Sequence, residues 1–586
     1  MAQFDLKIVG GRIVDGTGAA SFVGDVAVRD GRIVAVGRCD GEAATTVDAT
    51  GCIVTPGFVD LHTHYDGQVS WDADLAPSCF HGVTTAVMGS CGVGFAPCRA
   101  ADRERLIALM EGVEDIPGSA LAEGLRWGWE SFPEYLAALD ATPHTIDFAA
   151  HIPHDALRVF VMGDRAVANE VATDDDIAAM RRVVREALEA GAVGFSTGRT
   201  DNHRNIDGQP TPASEATTTE LAGIAAAFHG LPFGVLQAVS DFDMGTSVER
   251  FDPEFDVIEA MAAAAGGRPT SISLMQRNKD TAQWQKILRR VDAAAVKGVE
   301  MRVQVAPRGI GVILGLEATF HPFVGFPSYK AVAALPLAER VAAMRDPVFR
   351  QRLLGEKSER IAGDGSSVPP LADELLAHLD FVAMRLYRLT DGFDYEPPRE
   401  ASLLAEAFTT GRTTLEVLYD ALLEDDGRRL LYFPIFNYID QNFDAVETML
   451  RHPRALVGLG DGGAHVGTIC DASVPTFFLA RWARDRGDRG IALERAVQML
   501  TGDVAGYMGF GDRGVLRPGL RADINVIDMA RLGLTMPELV RDLPAGGKRF
   551  MQRATGYVAT FVHGEQIIAH GELTGARPGR LARPTA

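Results

Sequence analysis

Eight short apolar runs separated by helix-like segments constrain the fold of this chain more than any other feature. The runs are FVDLH (58–62), TTAVMGSC (84–91), IDFAAHI (146–152), AVGFSTG (192–198), FGVLQAV (233–239), TSISLMQ (270–276), VEMRVQV (299–305) and ALVGLGD (455–461). Each has the length and composition of a buried parallel strand. The intervening stretch DDDIAAMRRVVREALEAG (174–191) begins with acidic residues, continues with a helical apolar period and ends in glycine, as a crossover helix does. The pattern predicts an α/β fold, a (β/α)8 TIM barrel.

The two ends of the chain have a different pattern. Residues 5–55, 514–528 and 556–572 are short alternating runs with Asp-Gly and Gly-Gly at the reversals, which is typical of β-hairpins. Because an isolated hairpin is marginal in water, we expect both termini to pair in one small β-sandwich, with two separate β pieces as the alternative. The predicted domains are 1–55 and 511–586 for the sandwich and 56–510 for the barrel.

One segment of the middle does not fit the repeat. Near residues 308–430 the chain reads PSYKAVAALPLAERVAAMRDPVFRQRLL between the seventh and eighth candidate strands, which predicts a helical insertion. Long insertions in a barrel of this kind belong on the face that carries the catalytic loops. We therefore interpret the insertion as a substrate lid.

Charge and composition limit the class of partner. Lys plus Arg number 57 and Asp plus Glu number 78, so the net charge is −21, which disfavours nucleic acid and anionic membranes as partners. We expect a small-molecule substrate, and self-association into a homo-oligomer stays open. The start MAQFDLKIVGG has no basic leader or apolar core, and no run approaches the roughly 20 apolar residues of a membrane span, so a cytoplasmic protein is expected. Six cysteines over this length are too sparse for a disulfide framework.

Polar side chains follow three of the candidate strands. His62 and His64 come after the first, Cys91 after the second and Asp461 after the eighth. Residues two apart on a strand point to the same side, so both imidazoles can reach one metal ion. Nitrogen, sulfur and carboxylate donors together suit Zn²⁺. The alternatives are a nucleophilic Cys91, which would need a free base nearby, or polar residues at strand ends and a buried inert thiol.

Six motifs carry a resemblance to a known family. They are GFVDLHTHYDG, HGVTTAVMGSCGVGFAP, PHDALRVFVMG, GAVGFSTGR, NYIDQNFDAVETMLRHPRALVGLGDGGAH and GVLRPGLRADINVID, in order over nearly the whole chain. They resemble the amidohydrolase superfamily, and within it the N-acyl-D-amino-acid deacylase (D-aminoacylase) branch. The resemblance implies a zinc-bearing barrel with a sandwich built from both termini, and a hydrolase of amide bonds other than peptide bonds. It also implies that Cys91 is a zinc ligand and that Asp461 both approaches the metal and handles protons.

The sequence departs from this family at the second metal position. The family places a histidine after the fifth and the sixth strand, whereas this chain has Gln237 and Leu274 there. An amide is a poor zinc ligand and leucine is none. There is also no lysine near GAVGFSTGR to act as a carbamylated bridge. The four donors named above remain, which is enough for one zinc ion per chain.

The residues that would bind a substrate carboxylate also differ. Gln276 stands where the family has a basic residue, and VAPRG stands where a tyrosine is expected. Arg199 and Arg308 are therefore candidates for an anionic group, since a guanidinium binds a carboxylate through two hydrogen bonds. A salt-bridged loop residue is the alternative for either arginine. His203 and Gln237 are further candidate substrate contacts.

The expected mechanism is hydrolysis by zinc-activated water. Zinc brings the pKa of a bound water to about 7. Asp461 would take its proton and return it to the leaving nitrogen, and His154 would steady the oxyanion unless it is a core histidine. His465 is a candidate partner of the site. A cyclic amide or imide hydrolase, or an inactive binding protein on the same scaffold, remains an alternative.

Overall fold

Eight parallel strands form the centre of the protein, whose computed structural model describes residues 2–243, 246–361 and 370–585. Among these residues the strands are β1 Phe58–Asp60, β2 Val83–Met88, β3 Asp147–Pro153, β4 Gly194–Arg199, β5 Val235–Ser240, β6 Thr270–Leu274, β7 Met301–Val305 and β8 Ala455–Val457. Their order in the sheet is β8-β7-β6-β5-β4-β3-β2-β1, so each strand lies beside its neighbour in the chain. Each strand overlaps its predicted run, and β2, β3, β4 and β5 extend one residue beyond it.

The first and last strands are joined by the loops that follow them. Thr63 and Gly462 form a parallel bridge. The amide of His64 donates to the carbonyl of Gly462 at 2.8 Å, and the amide of Asp461 donates to the carbonyl of His62 at 3.1 Å. The sheet is thereby closed at the carboxyl ends of β1 and β8. The predicted (β/α)8 barrel is confirmed, and two of the candidate metal-binding segments are held directly against each other.

Helices connect the strands around the barrel. They are Arg103–Glu114, Gly118–Gly124, Phe132–Asp140, His154–Met162, Asp164–Val167, Asp174–Ala190, Thr218–Ala225, Phe251–Ala264, Gln283–Val296, Asp444–Leu450, Val474–Phe477, Phe478–Asp485, Leu493–Leu500 and Gly502–Met508. The helix Asp174–Ala190 shows why they form: Thr173 and Asp176 make a capping box at its start, and Gly191 ends it in the left-handed conformation. Its apolar residues, four and seven positions apart, face the barrel. No helix in the described part of the chain has the length and apolar character needed to span a membrane.

Both termini contribute to one sheet. Within the described residues nine strands belong to it: Phe4–Ile13, Phe22–Arg29, Arg32–Gly37, Ala43–Asp48, Ile53–Pro56, Ile524–Ile527, Tyr557–Val562, Glu565–Ala569 and Glu572–Leu573. Ile53–Pro56 joins the two ends, since it pairs in parallel with Phe4–Ile13 and antiparallel with Ile524–Ile527. Leu6, Val54 and Ile524 lie in its core. The composite sheet domain predicted from both termini is confirmed.

The C-terminal segment is more dispersed than the predicted 511–586 unit. Strand pairs Gly533–Leu534 with Ala554–Thr555 and Glu538–Val540 with Arg549–Met551 lie outside the nine-stranded sheet. The last residues return to the amino-terminal end of the barrel, where Leu581 bridges to Phe148. Because a short tail of this kind has no periodic pattern, its position was not readable from the sequence.

The insertion between β7 and β8 contains strands as well as helices. Its helices are Pro327–Lys330, Leu337–Arg345, Pro347–Leu354, Pro370–Ala377, Leu379–Ala383, Leu403–Thr410 and Thr414–Leu423. In its described part, Ile310–Leu314 and Tyr387–Arg388 pair antiparallel with Leu431–Phe436. The predicted helices of 327–354 are present, whereas the three strands were not predicted, and the last one lies just beyond the predicted limit of 430. Residues 362–369 of the predicted insertion lie outside the described residues.

Candidate metal centre and substrate cavity

Four predicted donors meet at the carboxyl ends of β1, β2 and β8. His62 Nε2 lies 3.2 Å from Cys91 Sγ and 3.3 Å from Asp461 Oδ1. His64 Nε2 lies 3.8 Å from the same carboxylate oxygen. One donor atom each of His62, His64 and Cys91 fall within 4.8 Å of one another. Residues up to 399 positions apart in the chain therefore face one small volume.

The His62 ring is oriented by a buried amide. Its Nδ1 lies 2.6 Å from Oε1 of Gln304 on β7, and Nε2 of Gln304 donates to Ser271 Oγ on β6 at 2.9 Å. Because an amide oxygen only accepts, Nδ1 carries the proton and Nε2 keeps its lone pair for a metal ion. Sequence analysis did not identify Gln304.

The His64 ring has a charged partner instead. Oε1 of Glu114 lies 3.1 Å from His64 Nδ1, and Oε2 lies 3.9 Å from Nε2 of His465. Glu114 ends the helix Arg103–Glu114 and is 1% exposed. Sequence analysis missed this residue because a glutamate near a helix end is commonplace. A buried charge that contacts a candidate ligand is visible only in three dimensions.

Cys91 is held in a strained turn after β2. Its φ is 58°, and Gly89 and Gly92 on either side have φ of 76° and 82°. A Cβ on Gly92 would lie 2.6 Å from the amide nitrogen of Gly198, so the turn packs too closely for a side chain there. Gln237 Oε1 accepts a hydrogen bond of 2.7 Å from the Cys91 amide and fixes the turn. Gln237 is thus a buried support of Cys91 rather than the predicted substrate contact.

The donor set suits a divalent metal ion. Burial raises the pKa of the Asp461 carboxyl to about 7 and raises the pKa of the Cys91 thiol above its ordinary value. Both groups therefore depend on a nearby positive charge to ionise. Two imidazole nitrogens, a thiol and a carboxylate facing one another are the ligand types that zinc takes in four-coordinate sites.

Neither β5 nor β6 supplies another imidazole. Gln237 is engaged with Cys91, and on β6 the residues that line the adjacent cavity are Ser273 and, just beyond the strand, Met275. Leu274 is fully buried and points away from the cavity, because successive side chains of a strand alternate in direction. On this strand Ser273, and not Leu274, faces the cavity. Ser273, which does face the cavity, is not a usual zinc ligand either.

A cavity of about 220 Å³ opens beside the donors. Much of its wall is apolar and comes from the insertion: Ile310, Val312, Leu314, Leu375, Leu376, Leu379, Val382, Phe433, Ile435 and Phe436. On the strand Ile310–Leu314, the lining residues are every second one, and Val312 pairs with Phe433 across the sheet. One face of this small sheet, together with the helix residues named above, thus forms a continuous apolar roof.

Arg277 is the unexpected polar residue of the cavity wall. It is 9% exposed, and its Nη2 donates to the Ser240 carbonyl at 2.8 Å. Its Nε and Nη1 have no hydrogen-bond partner among the described residues. Gln276, the position compared with the family's basic residue, instead bonds to Asp440 at 2.6 Å. The basic residue that faces the cavity is therefore Arg277, one position after the residue considered in the sequence analysis.

Two other predicted site residues, Arg199 and Arg308, lie outside the cavity wall. Arg199 donates to Glu254 at 2.9 and 3.0 Å. Arg308 donates to Asp471 at 2.7 Å and stacks on a tyrosine ring. These are the salt-bridged alternatives of the sequence analysis, and they correct the proposed anion contacts. A buried ion pair and a substrate contact require the same residue type, so sequence alone did not separate them.

Of the two remaining candidate histidines, His203 lines the cavity and His154 does not. His154 is fully buried, with Nδ1 3.0 Å from Thr197 Oγ1 and Nε2 3.0 Å from Glu220 Oε1, so it has the position of a core histidine and not of an oxyanion contact. His203 lines the cavity, and burial lowers its pKa to about 4. A neutral imidazole at this position can exchange hydrogen bonds with a substrate.

The fold and this donor set define a metal-dependent hydrolase of the (β/α)8 class. Residues 45–365 and 414–568 match the profile of the amidohydrolase family, and the chain belongs to that family. The chain is 27% identical to D-aminoacylase of Alcaligenes xylosoxydans xylosoxydans, over 100% of this chain and 98% of the relative. It is also 27% identical to N-acyl-D-aspartate deacylase of the same organism, over 100% and 96%.

A solved structure agrees with these relatives. It is N-acyl-D-glutamate deacylase from Bordetella bronchiseptica, complexed with zinc and a phosphonate inhibitor that mimics the tetrahedral intermediate of its reaction. It is 25% identical to this chain, covers 99% of both chains and has a TM-score of 0.63. The protein is thus a hydrolase acting on carbon–nitrogen bonds other than peptide bonds, as the sequence predicted.

Proposed function

We propose that the protein hydrolyses the amide bond of N-acyl amino acids that carry one carboxylate and an apolar group. One Zn²⁺ would be held by His62, His64 and Cys91, with Asp461 as general base and acid. The observation that carries the proposal is that these donors and the unpaired guanidinium of Arg277 line the same apolar cavity.

When bound, the metal ion would polarise a carbonyl oxygen and lower the pKa of water toward neutrality. Asp461 lies at the edge of the imidazole pair, where its carboxylate can take a proton from the attacking water. It then returns that proton to the leaving nitrogen as the carbon–nitrogen bond breaks. The products are a carboxylate and an amine.

Arg277 supports an anionic substrate. A buried guanidinium with two free nitrogens is costly unless an anion pairs with it, and a carboxylate matches its geometry. Among the described lining residues Arg277 is the only arginine or lysine. A second carboxylate, as in the N-acyl-D-aspartate and N-acyl-D-glutamate substrates named for two relatives, would have no cation to meet. We therefore propose a monocarboxylate with an apolar side chain.

The apolar roof holds the rest of the substrate. Its side chains come from both strands and helices of the insertion and offer no charged group. Apolar surface removed from water stabilises the complex by about 25 cal/mol per Å². The acyl chain or the side chain of the amino acid would lie against this roof.

A substrate panel tests the proposal. Metal-free protein would be assayed with and without one equivalent of zinc on N-acyl-D- and N-acyl-L-amino acids with apolar or acidic side chains, and on cyclic imides. We expect zinc-dependent hydrolysis that favours linear amides of apolar amino acids. Faster opening of cyclic imides, or hydrolysis without metal, would reject the proposal.

Arg277→Met sharpens the test. Each N-acyl amino acid would be compared with its primary carboxamide, which lacks the carboxylate. We expect the preference for the free acid to fall at least about tenfold in the variant, because a charge-assisted pair is worth roughly 1.5–3 kcal/mol. Arg250→Met, at an exposed ion pair with Asp243, is the control and should leave the preference unchanged. An unchanged preference in Arg277→Met would remove Arg277 from the substrate site.

A further inference from the structure

Glu114 occupies an unfavourable position for a carboxylate. It is 1% exposed and ends the helix Arg103–Glu114, where the helix dipole disfavours negative charge. Neither of its side-chain oxygens makes a well-aligned hydrogen bond to a described residue. Burying a carboxylate here costs desolvation free energy that a nearby polar or positive partner must offset, so its partners indicate its role.

The Glu114 carboxylate contacts two imidazole rings. Its oxygens lie 3.1 Å from Nδ1 of His64 and 3.9 Å from Nε2 of His465. The Nδ1 atom is the ring nitrogen of His64 that does not face Asp461, since Nε2 is the atom 3.8 Å from Asp461. Glu114 therefore lies behind the ring and is not itself among the converging donors.

We infer that Glu114 is a positioning residue for the metal centre, which fixes the His64 ring with Nε2 inward and increases the affinity of the site for a divalent cation. This inference rests on the proposed metal site. A carboxylate 3.1 Å from Nδ1 favours the tautomer that carries its proton there, which leaves Nε2 free for the metal and makes it a stronger ligand. A neutral amide orients the ring as well but contributes no charge.

The two histidines thus have partners of different strength. His62 has the amide of Gln304 and His64 has the carboxylate of Glu114. With the Cys91 thiolate and the Asp461 carboxylate, Glu114 brings a third negative charge to the neighbourhood of the cation. Electrostatic attraction is strong in a buried site because screening by water is weak there. Loss of the charge alone, with shape kept, should therefore weaken metal binding.

The test measures metal binding separately from activity. Glu114→Gln keeps the shape and an acceptor oxygen but removes the charge, and Glu114→Ala removes both. Glu111→Gln is the matched control, because Glu111 lies on the same helix, bonds to the Gly118 amide at 2.8 Å and does not line the cavity. Zinc affinity would be measured by competition with a chromogenic chelator, ring geometry by the visible spectrum of the Co²⁺-loaded protein, and folding by the Tm of the metal-free protein.

We expect zinc affinity to fall about 10- to 100-fold in Glu114→Gln, with Glu111→Gln unchanged. Glu114→Ala should bind at least as weakly and also shift the Co²⁺ spectrum, since its His64 ring has lost its partner. The Tm of metal-free Glu114→Gln should stay within a few degrees of the wild type, because the amide keeps the shape of the side chain and an acceptor oxygen for the His64 ring.

Three results would overturn the inference. Wild-type zinc affinity in both Glu114 variants would show that the carboxylate does not support the metal, even if activity falls. A Tm several degrees lower in metal-free Glu114→Gln would show a structural role. Absence of stoichiometric zinc from the wild-type protein would reject the proposed function and this inference together, whereas the first two results leave the proposed function intact.

Discussion

The floor of the cavity, formed by His62, His64, Cys91 and Asp461, and its apolar roof depend on different physical interactions. On the floor, His62, His64 and Cys91 each have a dedicated partner: Gln304, Glu114 and Gln237. On the roof, apolar side chains of the insertion pack against one another with no directional bonds. Metal binding and proton transfer depend on atomic positions within fractions of an ångström, whereas apolar contact depends mainly on area. Changes to the floor should therefore abolish chemistry, and changes to the roof should shift substrate preference.

Removal of a proposed metal ligand from the floor should have the largest effect. Cys91→Ala deletes the thiolate, so zinc stoichiometry should fall well below one and kcat/KM should fall roughly 10³-fold or more, because Lewis-acid polarisation is worth several kcal/mol. Metal content and rate would be measured on the same preparation. Cys52→Ala, in the terminal sandwich, is the control and should retain both. A Cys91→Ala protein with full metal content would reject the assignment of this ligand.

Asp461→Asn should separate proton transfer from metal binding. The amide keeps the size of the side chain but does not accept a proton, so kcat should fall roughly 10²- to 10⁴-fold while zinc stays bound. Asp201→Asn, in the loop after β4 and half-exposed, should have little effect. If metal and activity disappear in parallel, Asp461 acts mainly as a ligand and another group moves the proton.

Gln304→Leu tests whether a ring needs its buried partner. Without the amide oxygen, His62 can rotate or change tautomer, and zinc affinity should fall about tenfold, the lower end of the range for outer-shell partners. Glu114→Gln should cost more than this, because it removes charge. Arg302→Leu changes a partly exposed residue of the same strand and should leave the affinity unchanged. A larger loss of zinc affinity in Gln304→Leu than in Glu114→Gln would show that the charge of Glu114 is not important for metal binding.

The sequence singled out the four converging side chains, but not the buried residues that contact them. His62, His64, Cys91 and Asp461 follow apolar strands directly, so a local pattern places them at the carboxyl ends. Gln304 is 242 positions from the histidine that it contacts, and nothing in its own segment indicates that pairing. Long-range contacts of polar side chains have no local periodic signal.

Register was the other limit of sequence reasoning. Side chains on a strand alternate, so an error of one residue selects the opposite face. The sequence analysis considered Leu274 and Gln276, whereas the side chains that face the cavity are those of Ser273 and Arg277. The roof strands were missed for a related reason: Ile310–Leu314 and Leu431–Phe436 are over a hundred residues apart and form a sheet only together.

Substitutions in the roof should change KM for apolar substrates by a small factor and leave kcat almost unchanged, in contrast to substitutions in the floor. Val382 lines the cavity on the helix Leu379–Ala383, and its neighbour Phe381 is 40% exposed. Val382→Ala removes two carbons at about 0.8 kcal/mol each, so KM for apolar substrates should rise at most roughly 15-fold with kcat nearly unchanged. Phe381→Ala deletes more atoms from the same helix but from its outer face, and it should leave KM unchanged. A large loss of kcat in Val382→Ala would mean that the roof also positions the floor, and the division between the two regions would then fail.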